Sequence, residues 1–120
     1  MLVDTSIWVK YFHDGNGELV RLLDRGMVWT HPLIIGELAC GRFRDRRAVF
    51  GLLHQLPSLG VVSHEEALSF LDAHDLFGRG LGWIDVHLLA TARLTSEPLW
   101  TRDRDLASAC RLLGLDVTHG

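Results

Sequence analysis

"MLVDTSIWVKYF", residues 1–12, sets a carboxylate and two hydroxyls inside an apolar run. Met1, Leu2 and Val3 read as the start of a buried strand, because strands covered on both faces are continuously rather than alternately apolar. Asp4, Thr5 and Ser6 interrupt. Ile7, Trp8 and Tyr11 then resume at helical spacing, with Thr5 or Ser6 as the predicted N-cap. The unit is strand, polar turn, helix, and the question is what Asp4 does at the junction.

Outward from it the chain repeats the alternation. "DGNG" (14–17) breaks the first helix, and "ELVRLLDRG" (18–26) reads as a second, closed by Gly26. "MVWTH" (27–31) is β-rich, and Pro32 suits the first turn of a helix "PLIIGELACGR". Helices are predicted over 45–56, over 64–77 behind the cap Ser63, and over 83–95. "GRGLG" (78–82) connects the last two. "PLWT" (98–101) and "LDVTH" (115–119) are predicted strands around a helix at 103–114. Such alternation specifies an α/β protein whose mainly parallel sheet is covered on both faces.

The totals agree. The 120 residues suit one domain, 1–120, and 48% hydrophobic against 22% charged residues supports a buried core. No run nears the ~20 apolar residues of a membrane span, and residues 1–12 lack a signal peptide's basic start, so a cytoplasmic protein is expected. Cys40 and Cys110 lack metal-type spacing and read as buried thiols. Net charge is −3, which does not advertise nucleic-acid binding. The distribution is more telling. Lys10 is the one lysine among twelve cations, and Arg42, Arg44, Arg46 and Arg47 cluster within six residues. Arginine's planar fork suits phosphate, although a solvated face explains such a cluster equally well.

In open parallel sheets ligands lie beyond the carboxyl ends of the strands. Asp4 follows the first predicted strand, and Asp103 follows "PLWT" with one residue between. On the helices, Glu37 shares an apolar face with Leu33, Ile34, Leu38 and Gly41, and Asp85 shares one with Leu88, Leu89 and Ala92. Each acid has an ordinary explanation. Asp4 and Asp103 suit N-caps, Asp85 suits a first helical turn, and Glu37 suits a buried salt bridge. None of these explains why all four point to one end of one sheet. Convergent carboxylates repel unless a cation neutralises them. Three or four of them describe a site for a hard cation, Mg2+ or Mn2+, and such an ion's natural chemistry is phosphodiester hydrolysis.

Other motifs fail. "GRGLG" lacks nucleotide-loop spacing, "HEEAL" (64–68) has Leu68 where a zincin needs histidine, and no phosphate loop is present. The seven histidines form no ligand set, and the four tryptophans read as core.

"VDTSIWV" (3–9), "GELACG" (36–41), "WIDVHLLATA" (83–92) and "LWTRDRDL" (99–106) together resemble the PIN domain, and more closely the VapC toxins of VapBC toxin–antitoxin pairs. The resemblance runs along the whole chain in order. It implies a three-layer α/β/α sandwich and a Mg2+- or Mn2+-dependent endoribonuclease with RNA as substrate. Residue by residue it implies an acidic quartet of Asp4, Glu37, Asp85 and Asp103. Ser6 and Thr101 match the family's small hydroxyls, which orient water or an acid. Asp105 matches a second acid of the last motif, ranked below Asp103 because Asp103 is nearer the strand end. The resemblance further implies a homodimer and a small antitoxin, which covers the site and carries the DNA contact. The Arg42–Arg47 cluster then suits either RNA phosphates or an acidic stretch of that antitoxin. Two other readings stand beside this one. A haloacid-dehalogenase-like phosphatase needs a second Asp two residues after the first and a late lysine, whereas position 6 is Ser and the one lysine is Lys10. A catalytically inactive binding module would tolerate loss of the acids.

Overall fold

Strand β1 (Leu2–Val3) runs parallel to β2 (Leu99–Thr101), which runs parallel to β3 (Val117–His119), in the order β1–β2–β3. Register pairs Val3 with Trp100 and Thr101 with His119. The structure is a computed structural model and describes residues 1–120. Seven helices surround the sheet: α1 (Thr5–Asp14), α2 (Gly17–Asp24), α3 (Pro32–Ala39), α4 (Arg46–Gln55), α5 (His64–Ala73), α6 (Trp83–Thr95) and α7 (Arg104–Leu112). The expected α/β sandwich on a parallel sheet is borne out.

Leu2, Val3 and Leu99 are wholly buried, as their unbroken apolar runs require. They join Ile7, Trp8, Ile34, Leu38, Leu88, Leu89 and Leu106 in one core cluster. Full burial of each such side chain contributes about 1.5–3 kcal/mol, so the short strands are fixed by packing more than by their few ladder bonds. A smaller cluster of Val62, Ala67, Val86 and Ala90 ties α5 to α6.

The predicted strand at 27–31 is reduced to single bridges, Leu2 to Trp29 and Thr30 to Ser58. His31 is already the N-cap of α3, and Pro32 has no N–H to extend a ladder, so the chain leaves the sheet edge after Thr30. The helix predicted over 64–77 ends at Ala73, where Asp75 adopts a left-handed φ of 51°. Ser63 caps it as predicted, in a reciprocal box with Glu66. The N-cap of α1 is Asp4 rather than Thr5 or Ser6, which lie within the helix. Two further expectations are corrected. Cys110 is buried but Cys40 is exposed, and Trp8 and Trp100 are core residues while Trp83 is 38% exposed. No helix is long and apolar enough to cross a membrane.

Candidate active site

Parallel strands bring their carboxyl ends to one edge of the sheet, and β1 and β2 are neighbours there. The Asp4 N–H donates to Trp100 O at 2.9 Å, continuing the ladder one residue past β1. Asp4 is 6% exposed, and although it occupies the N-cap position its side chain caps nothing. Its Oδ2 instead accepts from Thr101 Oγ1 at 2.7 Å and from Ser6 Oγ at 2.8 Å. Each hydroxyl is itself oriented by an amide. Arg102 N donates to Ser6 Oγ and Asp103 N to Thr101 Oγ1, both at 2.9 Å. A hydroxyl that accepts from an N–H is left to donate its own proton, so both protons face Asp4. This arrangement stabilises a buried carboxylate without any cationic partner.

The remaining acids surround that junction. Asp85, in the first turn of α6, accepts at Oδ2 from Gly82 N at 2.9 Å. Asp103 caps α7, accepting at Oδ1 from Leu106 N at 3.0 Å. Glu37, on α3, accepts at Oε1 from Thr5 Oγ1 at 2.6 Å. One oxygen of each of the four carboxylates is therefore tethered, and the other makes no hydrogen bond within the protein. None of the four forms a salt bridge.

Burial pushes the Asp85 carboxyl up to about 6; the negative charges of Asp4, Asp103 and Glu37 add to the effect, and the Gly82 N–H opposes it. The four acids thus share one electrostatic neighbourhood. Asp105 is not among the charges that act on Asp85. Its carboxylate lies directly beneath Gly80, whose φ of 78° and lack of a Cβ allow the approach.

Several sequence expectations meet a different local reason. Glu37 is exposed rather than part of a buried salt bridge; it sits at the rim of its helix's apolar face, where Ile34 and Leu38 are the buried members. Of the arginine cluster, Arg46 is structural. It donates to Ala39 O and Gly41 O, closing the C-terminal end of α3, and lies 4.8 Å over the Phe50 ring. Arg42, Arg44 and Arg47 are exposed and form no salt bridge. Thr5 and Gly82 tether two of the acids, a part that the sequence does not assign to them. Gly82 carries a usable signal, because it stands three residues before an acid at a helix start, the spacing of a capping box.

The PIN-domain model matches residues 1–112. The chain belongs to the PIN-domain family. It is 40% identical to ribonuclease VapC32 of Mycobacterium tuberculosis, from strains CDC 1551 and H37Rv alike, over 99% of this chain and 97% of that protein. Solved structures with this PIN fold include PAE2754 from Pyrobaculum aerophilum, with a TM-score of 0.63 and 19% identity over 89% of this chain and 82% of that one. FitAcB from Neisseria gonorrhoeae superposes with a TM-score of 0.63 and 16% identity over 98% and 96%. At that identity both speak to the fold alone. The resemblance carried by the four motifs is borne out at the level of the family and of its VapC members.

Proposed function

We propose that this PIN domain, over residues 1–120, is the endoribonuclease toxin of a toxin–antitoxin pair. The observation that carries the reading is the set of four carboxylates, none paired with a cation, each presenting one unengaged oxygen at the carboxyl end of a parallel sheet. The 40% identity to a ribonuclease supports RNA as the substrate.

No three acidic, histidine or cysteine side chains are gathered tightly enough to hold a metal ion as they stand. The donor chemistry nevertheless fits Mg2+ or Mn2+: four carboxylates supply hard oxygen donors, and Asp4, Asp103 and Glu37 add to the upward push that burial gives Asp85. Asp4, Glu37, Asp85 and Asp103 would hold the ion. When bound, it supplies an activated water and offsets charge on the phosphate. The chain's own residues do the rest. Ser6 and Thr101 fix the Asp4 carboxylate and keep its Oδ1 directed away from their hydroxyls. Gly82 and Thr5 do the same for Asp85 and Glu37. Asp105, whose carboxylate faces Gly80, ranks below Asp103 as the fourth acid. A protein antitoxin covering the acids, a homodimeric toxin, DNA contact only through the antitoxin and a cytoplasmic location complete the reading.

Asp4→Asn and Asp85→Asn should each abolish Mn2+- or Mg2+-dependent cleavage of RNA by the purified protein, with circular dichroism unchanged. Isothermal titration with Mn2+ should lose its signal in the double variant. Cleavage by either single variant at the wild-type rate would sink the proposal.

A further inference from the structure

Near the acids lies a concavity furnished with arginines. A cavity of about 600 Å3 opens between the 78–82 loop and α7, lined by Gly78, Arg79, Asp105, Ser108, Arg111 and Leu112. The loop connects it physically to the acids: Gly82 N holds Asp85, and two residues earlier Gly80 sits on Asp105 at the cavity rim. Asp105 and Asp103 belong to the same start of α7, so the cavity continues the site along that helix.

Its two arginines are free to act outward. Arg79 is held by one bond, Nε to Asp75 O at 2.9 Å, which orients the guanidinium and leaves both terminal nitrogens unengaged. The Arg111 side chain makes no hydrogen bond or salt bridge, and Ser108 is exposed one helical turn before it on α7. Two exposed aromatics flank the same loop, Phe77 at 63% and Trp83 at 38% exposure. Guanidinium forks with aromatic faces are the means by which single-stranded nucleic acid is gripped without sequence readout. An acidic peptide would use the arginines but has no need of two exposed aromatic rings.

We propose that this cavity is a phosphate-binding subsite for the RNA backbone, with Arg79, Arg111 and Ser108 holding one or two phosphates to one side of the scissile bond, and Phe77 or Trp83 stacking on a neighbouring base. This deepens the ribonuclease reading and rests on it. It also answers a physical difficulty, since a polyanion approaching four carboxylates on a chain of charge −3 needs local cations to hold it.

The test separates the two ideas. Anisotropy of fluorescein-labelled random RNA 20-mers, titrated with the full chain in EDTA, reads binding without cleavage. The Arg79→Ala/Arg111→Ala double variant should weaken binding about tenfold, and the plot of log K against log salt should flatten by ~0.7 for each phosphate no longer neutralised. Arg111→Ala alone removes a side chain that bonds to nothing in the protein, and it should show part of the same weakening with an unchanged Tm. Arg25→Ala, on an exposed turn after α2, should bind as wild type. In cleavage assays the double variant should raise KM and leave kcat in place. Unchanged affinity and salt slope in the Arg111 and double variants would overturn the subsite, as would an equal weakening in Arg25→Ala. Loss of antitoxin binding with RNA affinity intact would overturn it in favour of a protein partner. Arginine-dependent RNA binding by a wild type that cleaves no RNA would keep the subsite and remove the ribonuclease reading.

Discussion

Asp4 is stabilised by hydroxyls that are in turn oriented by amides, and Thr101 is the centre of that arrangement. Its Oγ1 donates to Asp4 and accepts from Asp103 N. Thr101→Val would leave a buried carboxylate short of a donor and an amide without an acceptor. A loss of about 1–3 kcal/mol in urea unfolding follows, with Thr101→Ser recovering most of it. Asp85 works the other way. Its folded pKa, about 6, lies above the ordinary carboxylate value, so the folded state binds the proton more tightly than the unfolded one. Stability therefore falls as pH rises between about 4 and 6, and the cost is fully present above 6. Asp85→Asn should accordingly raise the Tm of the metal-free protein at pH 7. Allowing for its partial exposure the gain is about 1 kcal/mol. The gap between variant and wild type should close as pH is lowered towards 4. A variant less stable than wild type at pH 7 would contradict this account.

At the scale of elements, helix ends decide where the acids sit. Asp85 and Asp103 are both held by backbone N–H groups at helix starts, where the macrodipole favours a carboxylate. α3 is capped instead by a histidine, His31, whose Nδ1 accepts from Leu33 N at 3.0 Å while its buried Nε2 finds no partner. Burial and the nearby His87 hold the His31 pKa below its ordinary value of 6.5. The unfolded chain then takes up the proton first, and stability drops as pH falls below about 6.5. His31→Asn keeps a capping acceptor and removes the titration. The Tm of that variant should decline less than wild type between pH 7 and pH 5, and parallel curves would refute the assignment. Caps also mark the limit of sequence reading. "DTS" holds three good N-cap residues in a row, so spacing cannot tell that the backbone cap is Asp4 with its side chain turned elsewhere. Asp85 and Asp103 are legible from helix phase and strand ends. Glu37 is legible as a member of the group but not as exposed, because a helical face has no sharp edge in a sequence. The strand expected at 27–31 fails for a tertiary reason, the early departure forced by His31 and Pro32.

At the scale of the molecule, charge is sorted rather than balanced. The acids gather at one end of the sheet, Arg79 and Arg111 line the neighbouring cavity, and Arg46 is spent on closing α3. Net charge and composition hold no trace of that sorting, since it arises only when distant segments meet. The hydroxyl contacts on Asp4 are equally invisible to local patterns: Thr101 lies 97 residues from its partner and stands out only through the family resemblance. That separation has a consequence for how the protein comes into being. The first acid is made well before its neighbour in the sheet, the amides that orient its hydroxyl donors and the fourth acid, all of which lie beyond residue 98. The site cannot assemble until the segment through Asp103 has been made, and a product interrupted before β2 has no site at all. Fragments that end short of β2 therefore lack the arrangement of acids on which the proposed activity depends.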